Sequence, residues 1–194
     1  KYREKRDFRR TSEPSGKRTS GSDAPIFVIQ QHDASTMHYD FRLEVDGVLK
    51  SWAVPKGPLT DPSEKRLAVP TEDHPLEYAD FEGVIPEGEY GAGTVIVWDT
   101  GTYRNLRAEK EDDGRTMAAS YEDGKIEVWL EGKKLRGGYV LIRTGKDQDV
   151  RWLLKKIQDE QADARRNPTS TQPESVLTGR SLNEVREGAQ KDST

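Results

Sequence analysis

Between His38 and Val54 the chain alternates polar and apolar residues on either side of an Asp46-Gly47 pair. His38, Asp40 and Arg42 are separated by Tyr39, Phe41 and Leu43, and Asp-Gly readily takes up the positive backbone angles of a two-residue hairpin turn. Successive side chains of a strand point to opposite faces. The stretch therefore predicts a β-hairpin with strands over His38–Val45 and Val48–Val54. One face is apolar, and the other carries imidazole, carboxylate and guanidinium in a row.

The same reading extends along the chain. Ile26–Gln31, Arg66–Thr71, Thr94–Trp98, Lys125–Leu130, Gly138–Arg143 and Val150–Lys156 all read as strands, and Gly101 reads as the end of the Thr94 strand. Met117–Glu122 predicts a helical turn closed by Asp123-Gly124, while Arg104–Asp113 is ambiguous and Phe81–Gly93 reads as loop. About eight short strands at regular spacing point to a mostly β fold, a barrel or a sandwich. Trp52, Trp98, Trp129 and Trp152 lie in or beside these strands and are expected in its core.

The ends differ from the middle. Residues 1–20 carry eight Lys/Arg against three acids, a net of +5, while the whole chain is −4, so the remainder is −9. Hydrophobic residues make up only 32% and mean hydropathy is −0.93. This composition divides the chain into a basic arm (1–24), a folded unit (25–157) and a polar tail (158–194), with the termini partly disordered. Within the tail, a short polar helix is expected from Ile157 to Arg166, and Ser181 with Glu184 forms a capping box for one last helical turn. The absence of cysteine excludes disulfides and thiolate zinc sites, and no apolar run reaches membrane-spanning length. The expectation is a cytoplasmic protein without a signal peptide, its first residue left by trimming.

All three histidines, His32, His38 and His74, fall within about forty residues. His32, His38 and Asp40 would suit a transition-metal ion with coordination positions left open. Arg42 beside it would grip a phosphate oxygen. The plainer alternative is an exposed ladder of cross-strand ion pairs, and the His-x5-His-x-Asp spacing alone does not decide between them. Gly88–Gly93 has the glycines of a phosphate loop, but Glu87 and Glu89 would repel phosphate, so a turn into the next strand is the better reading.

The ordered runs Gln30–Glu44, Ser51–Pro58, Glu72–Tyr78 and Phe81–Gly93, together with Lys5-Arg-Asp-Phe8 and Thr11-x-Glu13-Pro14 in the arm, resemble the 3′-phosphoesterase domain of bacterial DNA ligase D. That module also occurs as a free-standing protein. The resemblance implies a compact single-domain β-barrel with its site on the outer surface and short helical elements. It implies a manganese enzyme, with Co2+ or Zn2+ as substitutes, that removes a 3′-terminal ribonucleoside and then the resulting 3′-phosphate. Its substrates would be primer-template or duplex DNA ends, its associates ligase, polymerase and Ku end-joining proteins, and its place in the cell the nucleoid. By resemblance His32, His38 and Asp40 are metal ligands. Arg42, His74 and Tyr78 bind phosphate, supported by Gln30, Lys56, Arg66 and Glu72. Arg6, Asp7 and Glu13 match arm positions linked to the phosphatase step, so the arm is expected to fold over the site. The rival reading is a non-catalytic module that binds a 3′-phosphate end and recruits a ligase or polymerase.

Overall fold

The computed structural model describes residues 1–15, 24–110 and 114–192. Nine strands occur there: β1 (Ile26–Asp33), β2 (Met37–Val45), β3 (Val48–Val54), β4 (Lys65–Pro75), β5 (Gly83–Ile85), β6 (Gly93–Asn105), β7 (Lys125–Gly132), β8 (Arg136–Thr144) and β9 (Arg151–Lys156). All pairings are antiparallel. The order β1-β2-β3-β4-β9-β8-β7-β6 closes through β1–β6 into an eight-stranded barrel. The short β5 adds to the first residues of β6, on the edge that further along pairs with β7. The expected barrel of about eight strands is the fold. The helices are short: α1 (Leu106–Lys110), α2 (Met117–Asp123), α3 (Pro168–Thr171) and α4 (Leu182–Asp192). Among the described residues no helix is long and apolar enough to cross a membrane.

The β2–β3 hairpin forms as its alternation predicts. Val45 pairs with Val48, and Asp46 and Gly47 both take positive φ, at 50° and 79°. Tyr39, Phe41 and Leu43 enter the barrel interior with Phe27, Ile29, Trp52, Trp98 and Trp152. Trp129 departs from the core expectation: it is only half-buried, its indole N–H donates to Glu131 over 2.7 Å, and Arg104 lies over its ring. Outside the wall a second apolar cluster, including Val28, Leu49, Tyr78, Phe81, Ile85, Val95 and Val97, packs against β1, β3 and β6. This outer cluster supports the site.

Several local expectations are corrected. Gly101 does not end β6, which runs on to Asn105; a Cβ there would come within 2.0 Å of the Glu131 carbonyl oxygen, so glycine permits close approach of β7. The loop expected over Phe81–Gly93 contains β5, and the stretch from Arg104 divides into the end of β6 and α1. No helix forms between Ile157 and Arg166. Asp159 instead accepts from Gly138 N and Lys156 Nζ at 2.7 Å each, and the Thr60 hydroxyl contacts the carbonyls of Asp163 (2.7 Å) and Arg166 (3.1 Å).

The two ends lie against the barrel. Trp98 Nε1 donates to the Gln172 carbonyl at 2.8 Å, Val176 N to the Val97 carbonyl at 3.0 Å, and the hydroxyls of Ser175 and Thr178 to Glu82. The Ser181–Glu184 capping box forms, with Ser181 N donating to Glu184 over 2.8 Å and Glu184 N to Ser181 over 3.3 Å. It opens an eleven-residue helix rather than a single turn. Arg186 of that helix pairs with Asp33 at the end of β1.

Candidate metal centre and anion pocket

Antiparallel pairing places His32 of β1 directly opposite His38 of β2, with Gln30 opposite Asp40 and Val28 opposite Arg42. Because the odd residues of β2 fill the core, His38, Asp40 and Arg42 stand on the outer wall. His32 Nδ1 lies 3.6 Å from Asp40 Oδ2, and His38 Nε2 lies 3.3 Å from Asp40 Oδ1. One ligand atom from each residue falls within 4.8 Å of the others, and this is the one such group among the described residues.

The imidazole tautomers follow from their other contacts. His32 Nε2 lies 2.8 Å from the Gly91 carbonyl, and His38 Nδ1 lies 3.0 Å from the Thr36 carbonyl. A carbonyl can only accept, so these nitrogens carry the protons when the rings are neutral. His32 Nδ1 and His38 Nε2 are then the ring nitrogens that face Asp40 and could give a lone pair to a metal. Two imidazole lone pairs and a carboxylate fit a divalent transition metal, and the residues present therefore suit the ion that the resemblance implies.

Burial alone would raise the Asp40 pKa. The Arg42 charge and the two imidazole contacts outweigh it and hold the carboxyl well below the usual carboxylate range. Burial works against the charged form of His38, but the hydrogen bond and charge of Asp40 leave its pKa above the ordinary histidine value.

Arg42 is almost fully buried, and each of its guanidinium nitrogens has a partner. Nε donates to Gln30 Oε1 at 2.7 Å, Nη1 donates to Ser51 Oγ at 2.9 Å and contacts His74 Nδ1 at 3.1 Å, and Nη2 lies 3.3 Å from Asp40 Oδ2. Gln30 also donates to the carbonyls of Tyr78 (2.8 Å) and Phe81 (3.1 Å), tying β1 to the turn after β4. Tyr78 packs against His74 with ring centres 4.7 Å apart, and Arg42 lies 5.0 Å from the Tyr78 ring centre. Burial, with the Arg42 charge, pushes the His74 pKa down to about 2, so the ring is neutral. Burial raises the Tyr78 hydroxyl pKa well above 10, so that group keeps its proton.

A register shift brings His74 to this face. Trp52 pairs with Pro70 and Ser51 with Thr71, but Leu49 pairs with His74, so Glu72 and Asp73 together stand opposite Lys50. Such a bulge reverses the alternation of the strand beyond it. Ala68, before the bulge, is in the inner core, whereas Thr71, Glu72 and His74 line the outer cavity. Arg66 has the parity of Ala68, pairs opposite Leu154 and sits 3.5 Å from Glu64. Lys56 is exposed in the turn after β3. Neither lines the cavity that contains the histidines.

The arm covers one side of the site. Arg6 Nε donates to Glu13 at 2.8 Å and Nη1 to Glu72 at 2.9 Å, while Lys5 Nζ lies 2.8 Å from Glu72. Tyr2 packs edge-on against His74, ring centres 5.1 Å apart, and its hydroxyl donates to the Pro14 carbonyl at 2.7 Å. Asp7 does not line the cavity and pairs with Arg9 at 3.1 Å. Tyr2, Ser51, Tyr90 and Gly91 were not singled out by the sequence as parts of the site, and only the alternation of β3 could have pointed to Ser51. The cavity, about 340 Å3, is bordered by Arg6, the histidines, Asp40, Arg42, Glu72, Tyr78, Tyr90 and the apolar Ala34, Ala53 and Ile85.

Fold and site together define an antiparallel β-barrel protein with a candidate metal centre and a buried cation on its outer wall. The chain belongs to the DNA ligase D 3′-phosphoesterase domain family, whose model matches residues 30–143. It is 50% identical over 186 residues to the multifunctional non-homologous end joining protein LigD of Pseudomonas aeruginosa, covering 93% of this chain and 21% of that protein. It is 49% identical over 162 residues to the multifunctional non-homologous end joining DNA repair protein LigD of Mycobacterium tuberculosis, covering 82% of this chain and 20% of that one. The LigD protein of Mycolicibacterium smegmatis is 45% identical over 163 residues. The chain thus spans about a fifth of the length of these relatives.

Proposed function

We propose that the protein is a metal-dependent phosphoesterase that processes DNA 3′ ends in non-homologous end joining. It removes a 3′-terminal ribonucleoside from a primer-template to leave a 3′-phosphate, then removes that phosphate to leave a 3′-hydroxyl. The observation that carries this reading is the convergence of one imidazole nitrogen each from His32 and His38 with the Asp40 carboxylate, beside the buried pair of Arg42 and His74. The family description, a 3′-phosphoesterase, and the relatives' names, which specify end joining, support it.

His32, His38 and Asp40 would hold the ion, which we take to be Mn2+, with Co2+ or Zn2+ as alternatives of similar ligand preference. A divalent ion bound by these residues would supply Lewis-acid polarisation of a phosphoryl oxygen and charge to offset what develops on it. Arg42 supplies a cation fixed before the substrate arrives, since Gln30, Ser51 and Asp40 hold its guanidinium in place. Such a group stabilises developing negative charge without reorganising during the reaction. His74 has Nδ1 engaged by Arg42 and the Glu72 carbonyl. Its Nε2 is then the nitrogen that meets the phosphoryl group or the leaving oxygen. Tyr78, which keeps its hydroxyl proton, orients the phosphate. Arg6, Glu13 and Glu72 set the position of the arm along the cavity, and Lys56 and Arg66 act on DNA beyond the cavity. The protein works in the cytoplasm at DNA ends, alongside ligase, polymerase and Ku.

The test incubates the protein and Mn2+ with a 5′-labelled primer-template ending in one 3′-ribonucleotide, with Asp40→Ala as control. Stepwise formation of a 3′-phosphate and then a 3′-hydroxyl, absent from the control, is the expected result. Retained binding without turnover would replace this reading with that of an end-recruiting module.

A further inference from the structure

Tyr90 is 50% exposed, an unusual degree for a large aromatic side chain, and it stands in the wall of the cavity that holds the candidate metal ligands. The loop that carries it is tightly turned, with Glu89 N donating to the Pro86 carbonyl and Ala92 N to the Glu89 carbonyl, both at 3.1 Å. The next residue, Gly91, supplies the carbonyl that orients His32. The Tyr90 backbone is therefore held within one residue of a contact to the candidate metal centre. Lys5 Nζ lies 4.4 Å from the ring centre and 3.3 Å from the hydroxyl, and the Arg6 guanidinium lies 5.3 Å from the ring centre.

The cavity lining thus has two chemistries. His32, His38, Asp40, Arg42 and His74 offer an ion site and a fixed cation, whereas Ala34, Ile85 and Tyr90 offer apolar surface. A phosphate alone would have no use for the second group. The volume, about 340 Å3, is near the lower end of the roughly 300–1,000 Å3 of ordinary ligand pockets. It is of a size to take a nucleotide-sized group. Single-stranded ends are commonly held by stacking bases on aromatic rings, which is tolerant of sequence because every base has a π-face.

Building on the phosphoesterase reading, we propose that Tyr90 is the platform on which the base of the 3′-terminal nucleotide stacks while the attached phosphate lies at Arg42. The half-exposed Lys5 then sits where it can meet the backbone phosphate of the same nucleotide. The chain would read the nucleoside by shape and not by hydrogen bonds to base edges, so it would accept all four bases and discriminate against an end that has none.

The test compares Tyr90→Leu and Tyr90→Phe with the parent protein on two Mn2+-containing substrates, a primer-template whose 3′-phosphate is on an ordinary nucleotide and one whose 3′-phosphate is on an abasic residue. Tyr90→Leu should raise KM for the ordinary end by about 5- to 150-fold, the worth of one base–aromatic stack. It should leave KM for the abasic end where the parent has it, and Tyr90→Phe should keep the parent's preference. Equal losses on both ends would show that the ring only positions the Gly91 carbonyl or the arm, and would overturn the proposal. A second readout needs no turnover: with 2-aminopurine as the 3′-terminal base, binding should quench its fluorescence in the parent and Phe proteins and much less in Tyr90→Leu. If the parent binds this probe but hydrolyses neither substrate, the phosphoesterase reading fails while the quenching still decides the role of Tyr90. Quenching that does not depend on residue 90 rejects it.

Discussion

Arg42 Nε donates to Gln30 Oε1 over 2.7 Å, and the same Gln30 side chain donates to two main-chain carbonyls, of Tyr78 and Phe81. One amide thus joins the buried cation to the turn that carries Tyr78. Glutamine suits this place because it offers an acceptor and two donors at once. In the structure Gln30 holds the Arg42 guanidinium against the turn that carries Tyr78.

Gln30→Ala should leave Arg42 Nε and two carbonyls without that partner. Each unsatisfied buried group costs about 1–3 kcal/mol, so a urea denaturation midpoint well below that of the parent is expected. Gln30→Glu should also destabilise, because a second acceptor replaces the donors while the Arg42 contact survives. Unchanged midpoints for both would show the amide to be dispensable.

Arg42→Lys should separate the charge from the fork. A lysine retains a cation near Asp40 but cannot reproduce the three-sided contact to Gln30, Ser51 and His74. Mn2+ binding measured by calorimetry should remain within about tenfold, whereas turnover should fall by about 10²–10³, the usual cost of one preorganised electrostatic contact. Asp40→Ala, in contrast, should abolish measurable Mn2+ binding. Loss of metal binding in Arg42→Lys equal to that in Asp40→Ala would refute this division of roles.

The neutral, buried His74 makes acid stability a test. Its folded pKa, about 2, lies far below the ordinary histidine value near 6.5. The unfolded chain therefore takes up a proton as pH falls below about 6.5 while the folded one does not, so stability is full above that pH and is lost as pH falls. The carboxylates Asp40 and Glu72, whose pKa values are lowered, act only below about pH 4.5, and His38, raised, acts above 6.5. Between pH 6.5 and 4.5 the slope from His74 should approach about 1.4 kcal/mol per pH unit. His74→Gln should be flatter over that window in urea unfolding, and parallel slopes for the two proteins would contradict the assignment.

The alternation around His38 was enough to predict the β2–β3 hairpin, its inward aromatic residues and the shared face of His38, Asp40 and Arg42. Period-two patterning is local, and a buried face enforces it. The position of His74 was not legible in this way, because the bulge in β4 reverses the strand's parity between Thr71 and His74. The same reversal separates His74 from Arg66. Gly101 was misread because glycine marks both strand ends and close approaches, and only the neighbouring Glu131 carbonyl shows which applies. The segment after Ile157 had helical composition, but Asp159 accepts from Gln161 N and Gly138 N and the Thr60 hydroxyl contacts the Asp163 and Arg166 carbonyls, a tertiary override of a weak local preference. The parts played by Tyr2, Tyr90 and Gly91 depend on chain segments that meet only in the folded molecule. No spacing in the sequence encodes such contacts.

The arm's hold on the site rests on one guanidinium. Arg6 is nearly fully buried between Glu13 and Glu72, and its cation lies 4.0 Å from the ring centre of Tyr2, which in turn packs on His74. Composition alone favoured a solvated arm, because eight cations in twenty residues cannot form a core of their own. Residues 16–23 lie outside the described residues, but Lys5, Arg6, Arg9 and Arg10 are paired with carboxylates that the barrel and the arm itself supply. Arg6→Ala would bring Glu13 and Glu72 together without the intervening charge, and removing one partner of a buried pair typically costs about 3–5 kcal/mol. The barrel core contains no arm residue, so the loss should appear as local release of residues 1–15 and not as global unfolding. Amide hydrogen exchange at Arg10, whose N–H donates to the Asp7 carbonyl at 2.9 Å, should speed up by about 100-fold or more, while that of β2 and β3 stays unchanged. Trypsin cleavage at Lys5 and Arg9 should rise in parallel. Arg6→Lys should restore part of the protection, since it keeps the charge without the two-sided fork. Exchange at Arg10 that is the same in Arg6→Ala and the parent would mean that the outer apolar cluster, through Tyr2 and Phe8, holds the arm by itself.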